Sequence, residues 1–315
     1  MDDLPRIALK VDVDTLRGTR EGVPALVELF RRHGVQATFL FSMGPDHTGR
    51  AIRRVLRRGF VGKVRRTSVV RHYGLRTLMY GTLLPGPDIG RRGAAVMRAV
   101  RDEGHETGIH CHDHVRWQDG VASADAEWTR REMIRACERY ADVFHEAPAV
   151  HGAAGWQMNV HALRLTQRLK FDYCSDGRGY APHLPVWRGE LVRCPQFPTT
   201  LPTLDELIGV GGRTETEAGA HLLELTAPPP PFGAHVFTLH AELEGLRLAH
   251  VLDALLDGWR AQGYVIAPLR ALYDAVEPFA LPRCEVGPGT VEGRTGTLLV
   301  QGDEFLGDVD LAEAA

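Results

Sequence analysis

Arg6-Ile7-Ala8-Leu9-Lys10-Val11-Asp12-Val13-Asp14 is the stretch on which the fold turns. Ile7, Leu9, Val11 and Val13 alternate with Ala8, Lys10, Asp12 and Asp14, the two-residue period of a strand. That period puts both carboxylates on one face near the carboxyl end, where the chain turns into Thr15-Leu16-Arg17-Gly18-Thr19. Paired carboxylates at the mouth of an α/β sheet suit metal binding and proton abstraction. The plainer alternative has one Asp capping the next helix and the other in solvent.

Outward from this strand, helical and extended patterns alternate. A helix is expected over 23–32, stopped by Gly34, then a strand over 36–41. Helices over 91–102, 124–144, 159–169 and 247–262 interleave with strands near 105–109, 150–153, 171–174, 235–239 and 264–267. Residues 194–201 read as extended, interrupted by Pro195 and Pro198. Such alternation implies a mainly parallel sheet or a barrel with its chemistry at the strand carboxyl ends. From Glu285 the chain turns Gly-rich and acidic, with Arg294 its only cation. The expected organisation is a barrel over 1–282 and an appendage over 283–315.

Composition narrows the function. The 315 residues are 44% hydrophobic and 24% charged, as in ordinary globular proteins. A net charge of −3 gives no support to nucleic-acid binding. Five scattered cysteines without a C-x-x-C pair argue against a disulfide framework or structural zinc and for a reducing compartment. The first residues carry no signal-peptide pattern, and no apolar run approaches the roughly 18 residues that span a bilayer. A cytosolic protein able to touch a membrane is expected.

The second chemical signal is His105-Glu106-Thr107-Gly108-Ile109-His110-Cys111-His112-Asp113-His114. On a helical turn, His110 and His114 would share one side. They follow an expected strand, so they should lie at the same end of the sheet as Asp14. Two histidines and a carboxylate, with positions left for water, make a facial metal site. His112 should point away from the pair. Phe237-Thr238-Leu239-His240 ends another strand on a histidine able to act as general acid. Tyr173-Cys174-Ser175-Asp176 ends a further strand on an acid that could orient an imidazole or cap a turn.

In this order the motifs resemble the polysaccharide deacetylase superfamily, the NodB-homology fold. Val11-Asp12-Val13-Asp14-Thr15, Arg17-Gly18-Thr19-Arg20-Glu21-Gly22-Val23-Pro24 and Phe41-Ser42-Met43-Gly44-Pro45-Asp46 are similar to one branch of it. That branch comprises deformylases of 4-deoxy-4-formamido-L-arabinose linked to undecaprenyl phosphate. Ala153-Ala154-Gly155-Trp156, Thr200-Leu201-Pro202-Thr203 and His240-Ala241-Glu242-Leu243-Glu244-Gly245 extend the likeness over essentially the whole chain. The resemblance implies an α/β fold, a distorted (β/α)7 barrel. It implies one divalent ion (Zn, Mn, Co or Fe) on Asp14, His110 and His114, with Asp12 as base. His240 would be the general acid, supported by Asp176. Arg17, Arg178 and Trp156 become candidate substrate or phosphate contacts, and Arg178 a candidate cation for tuning Asp12. The implied partner is a polyprenyl-phosphate-linked aminosugar at the cytoplasmic face of the inner membrane, with no nucleic acid. Alternatives are a metal-dependent N-deacetylase of another sugar or peptidoglycan precursor, and a catalytically silent binding protein.

Residues 47–87 form an insertion without a single acid, carrying ten cations between Arg50 and Arg76. Ile52, Val55, Leu56 and Phe60 recur at helical spacing among Arg53, Arg54, Arg57 and Arg58. An apolar face ringed by cations is the pattern of a helix lying on an anionic membrane surface. The plainer alternative is a solvated face in an Arg-preferring chain, which has 34 arginines and 3 lysines.

Overall fold

The computed structural model describes residues 4–51, 75–230 and 232–307. In chain order its strands are β1 (Arg6–Val13), β2 (Thr38–Ser42), β3 (Glu106–Cys111), β4 (Val150–His151) and β5 (Tyr173–Cys174). They continue as β6 (Leu184–Trp187), β7 (Glu190–Leu191), β8 (Ala234–His240), β9 (Val265–Pro268), β10 (Arg283–Gly289) and β11 (Leu298–Glu304). The main sheet has seven strands in the order β5-β4-β3-β2-β1-β8, with β9 also on β1, and every pairing is parallel. This is the expected α/β architecture of the polysaccharide deacetylase type.

β1 lies at its centre. β8 pairs with residues 6–12 along one edge. The other edge is divided, since Arg6–Leu9 pair with β9 and Lys10–Val13 with β2. Both faces of β1 are buried, as in parallel strands covered by helices on one side and barrel contents on the other. Ile7, Leu9, Val11 and Val13 join the main core with Phe39, Phe41 and Ile109. The face expected to be polar holds fully buried Ala8 and Lys10 and nearly buried Asp12, so it points into the barrel and not into water.

The helices pack their apolar stripes on this sheet. Val23–His33 has Pro24 in its first turn and ends at Gly34, whose φ of 58° is the left-handed conformation that favours glycine. It buries Val23, Leu26, Val27, Leu29 and Phe30, each worth about 1.5–3 kcal/mol when fully buried. Ala126–Phe144 is started by Asp125, whose side chain accepts from the Trp128 amide. Glu215–Leu225 was not anticipated, although Thr214 and Glu217 form a capping box at its start.

The C-terminal strands are tied into the body. β10 pairs in parallel with β6 and antiparallel with β11, giving a second sheet in the order β11-β10-β6-β7. Arg178 clamps it, donating its amide to the Leu299 carbonyl at 2.9 Å and accepting from the Gln301 amide at 2.8 Å. Of the basic insertion, Arg53, Arg54, Arg57, Arg58 and Phe60 lie outside the described residues. Its root is described: Pro45 bridges Asp88, and the Asp46 amide donates to the Pro87 carbonyl at 2.9 Å. No described helix is long and apolar enough to cross a membrane.

Candidate metal and acid–base site

The carboxyl end of β1 delivers Asp12 and Asp14, and in-register pairing sets Asp12 beside Leu40 of β2 and His240 of β8. Neighbours in register on parallel strands point the same way, so Asp12 and His240 share one face. His110 lies within β3, and His114 opens the helix His114–Gly120. The expected helical turn is therefore not what joins them. The sharp turn at 111–113 does so, leaving the two imidazoles stacked with centroids 5.3 Å apart.

These side chains line one cavity of about 160 Å³, with Trp156, Asp205, Glu242 and Arg294 in its walls. Asp14 Oδ1 lies 3.3 Å from His110 Nε2 and 3.4 Å from His114 Nε2. Ligand atoms at tetrahedral zinc-like distances sit about 3.3 Å from one another. Asp14 Oδ1 is buried without a hydrogen-bond partner. The other nitrogen of His110, Nδ1, is 2.6 Å from the Gly152 carbonyl, which fixes that N–H as donor and frees Nε2 as a ligand. Burial holds the His114 imidazole below its usual range, which suits a neutral ligand, although Asp14 opposes it. Burial would raise the Asp14 carboxyl, but His114, His110 and His240 together pull it well below the usual range. The residues fit a divalent ion.

Among the described residues a second trio, His151, Cys174 and Asp176, is also close enough to hold an ion. It is sealed in the core, and its His151 Nδ1 and Asp176 Oδ1 already bond to one another at 2.5 Å.

That bond corrects the expectation for Asp176, which sits behind the metal site and not beside His240. Its Oδ1 also accepts from the Ala153 amide at 3.0 Å, so it holds the 152–153 turn whose carbonyl grips His110. The carboxylate nearest the His240 imidazole is Asp205, 3.9 Å from Nδ1. Burial alone would lower the His240 imidazole; Asp205, Asp14, Glu244 and Asp12 outweigh it and push it up to about 9.

The cation facing Asp12 is likewise different from the expected one. Lys10 Nζ lies 3.2 Å from Asp12 Oδ2, and both side chains are shut off from solvent. Arg178 is committed elsewhere, donating to Glu206 Oε1 at 2.6 Å and to the Leu201 carbonyl at 3.0 Å. Trp156 does line the cavity, its ring faced by the cations of Lys10, Arg178 and Arg294 at 5.2, 5.1 and 4.3 Å. Arg17, partly exposed in the helical segment that follows β1, pairs with Glu21 at 2.9 Å and does not line the cavity. His112 turns toward Glu132, 3.9 Å away, and does not join the ligands.

Sequence reasoning gave Glu242 no role. Its Oε1 accepts from the Asp14 amide at 3.1 Å and from the Thr15 amide and hydroxyl, each at 2.8 Å. It therefore fixes the loop that carries Asp14. Burial and the nearby Asp14 charge push its carboxyl up to about 8. Gly18 makes room for it, because a Cβ there would lie 1.9 Å from Oε1.

A protein from Shewanella sediminis named a probable 4-deoxy-4-formamido-L-arabinose-phosphoundecaprenol deformylase, ArnD, is 35% identical over 94% of both chains. The chain belongs to the ArnD deformylase family. A second protein of that name, from Wigglesworthia glossinidia brevipalpis, is 28% identical over 90% of this chain and 98% of its own. No family model matches the sequence. In three dimensions, a crystal structure from Mycobacterium smegmatis described as a polysaccharide deacetylase superposes with a TM-score of 0.62. It is 18% identical and covers 90% of this chain and 93% of that one, a likeness of fold. In the present chain Asp14, His110 and His114 surround a single point, with Asp12 and His240 paired in register beside it.

Proposed function

We propose that this protein hydrolyses the N-formyl group of 4-deoxy-4-formamido-L-arabinose carried on undecaprenyl phosphate, using one divalent ion held by Asp14, His110 and His114. The observation that carries this reading is the placement of Asp12 and His240, in register on adjacent strands, beside a three-ligand set. When bound, the ion lowers the pKa of water and polarises the formamide carbonyl. Asp12, held by Lys10, accepts the proton of the attacking water. His240, held charged by its surrounding carboxylates, protonates the departing nitrogen. One C–O bond forms, the C–N bond breaks, and formate and the free amine leave. Asp205 keeps the imidazole charged. Trp156 and Arg294 form the wall where the sugar would rest.

The basic insertion over 47–87 would hold the protein at the cytoplasmic face of an anionic membrane, next to its lipid-linked substrate. In support, Leu83 at its described end is 81% exposed. The barrel over 1–282 would supply the chemistry, with the 283–315 appendage closing one wall through Arg294.

Formate release from the formamido-arabinose polyprenyl phosphate tests the reading, using chelated protein and protein reloaded with Zn, Mn, Co or Fe. The expected result is release restored by metal and lost again in His110→Ala. Acetate release from an N-acetylated sugar, without formate, would place the protein among the deacetylases. No hydrolysis of either would leave a binding protein.

A further inference from the structure

Two consecutive residues at the root of the insertion reach the two loops that carry metal ligands. Asp46 Oδ2 accepts from the Leu16 amide at 3.0 Å, two residues beyond Asp14. His47 Nδ1 lies 2.6 Å from Asp113 Oδ2, one residue before His114. The other Asp113 oxygen accepts from the Arg116 amide at 3.1 Å and so caps the helix that His114 opens. The His47–Asp113 contact is sheltered, with side-chain exposures of 17% and 4%. The far side of the root closes over it. A Cβ on Gly81 or Gly86 would meet the His47 ring at 2.8 or 2.7 Å, so both glycines let the returning chain press against the imidazole. Gly49 donates its amide to the Tyr80 carbonyl at 3.1 Å, and Asp46 to Pro87 at 2.9 Å, which pins the outgoing and returning chains together.

The geometry points to His47 as a positioning residue for the metal centre: by bonding Asp113 it fixes the start of the His114 helix, and it couples the insertion root to metal affinity. The inference rests on the reading of Asp14, His110 and His114 as metal ligands. A partner hydrogen-bonded directly to a ligand is commonly worth about 10- to 100-fold in metal affinity, and His47 acts one residue further out through Asp113, so the lower end of that range is expected. Coupling of this kind is reciprocal, so metal binding must stabilise the root as much as the root stabilises metal binding.

Co2+ affinity, measured by competition with a chromogenic chelator, and the visible Co2+ spectrum are compared in the intact wild type, His47→Leu and His47→Asn. Leu fills the space without a donor, whereas the Asn amide nitrogen replaces Nδ1. His47→Leu should bind Co2+ about tenfold more weakly with an altered spectrum, and His47→Asn should recover most of both. Hydrogen exchange on the wild type supplies a test that needs no variant. Co2+ loading should slow exchange at the amides of Asp46, Gly49 and Gly81. Unchanged affinity and spectrum in His47→Leu, or exchange at the root indifferent to Co2+, would overturn the coupling. If the wild type itself bound no Co2+, the failure would belong to the metal-site reading.

Discussion

Asp205→Asn tests how the acid side of the cavity is built. The His240 imidazole is raised from 6.5 to about 9, a rise worth about 3 kcal/mol. Burial works against that rise, so the carboxylates must supply more than the net. Asp205 is the foremost of them, 3.9 Å from Nδ1. A unit charge at that distance is worth about 4 kcal/mol at an effective dielectric of about 20. The Asp205 side chain is 41% exposed, so solvent screens part of it. Asn preserves the shape and the oxygen that accepts from the Thr203 hydroxyl, so the loss is chiefly one of charge. We expect the His240 imidazole to fall by about 1.5–2, to near 7. Proton NMR titration of the metal-free protein reads this directly. With less of the general acid charged, kcat/KM of the metal-loaded protein should fall at alkaline pH. Its alkaline limb should move to lower pH in step. The sign for stability follows: a raised imidazole stabilises the fold below about 6.5 and ceases to do so as pH climbs through about 9. A His240 titration still near 9 in Asp205→Asn would refute the account.

Lys10→Met strips a buried carboxylate of its partner and should destabilise the metal-free protein by about 3–5 kcal/mol in urea unfolding, while Lys10→Arg should cost less. Equal stability of Lys10→Met and wild type would show that the pair is not electrostatically closed. Gly18→Ala drives a methyl into Glu242, so an overpacking loss of about 1–3 kcal/mol and weaker metal retention are expected from thermal unfolding and chelator competition. Burial pushes the His183 imidazole down to about 4, so the unfolded chain takes up a proton first as pH falls from 6.5 toward 4. Stability should therefore drop by about 2 kcal/mol from this group between pH 7 and 5, and urea midpoints of His183→Leu should show a correspondingly smaller slope.

Local pattern exposes the ligands because they cluster at the carboxyl ends of two strands, Asp14 just past β1 and His110 and His114 around the end of β3. The two-residue period of β1 separates apolar from charged positions, and it places Lys10 on the same face as Asp12 as plainly as it does Asp14. Lys10 passed unread because a lysine at a polar strand position is ordinarily solvated, whereas here both faces are covered. Asp205 and Asp176 exchange expected places for a different reason. Asp176 ends a strand, as catalytic acids do, but the turn at 152–153 lies between it and the cavity. Asp205 comes from the short helix Leu204–Leu207, and only the long-range return of β8 brings His240 to it. The pairing of β10 with β6 is equally non-local, so no window of sequence around 283–289 announces it.

The divided edge of β1 has a consequence for synthesis. The strand that anchors the site is made before every other strand of its sheet, yet the partners of its first half, β8 and β9, follow more than 220 residues later. Until then β1 offers an unpaired, apolar edge, a template for pairing with other chains. A nascent chain halted before β9 should be a client for chaperones, and the finished barrel should fold slowly for its size because so many of its contacts are distant.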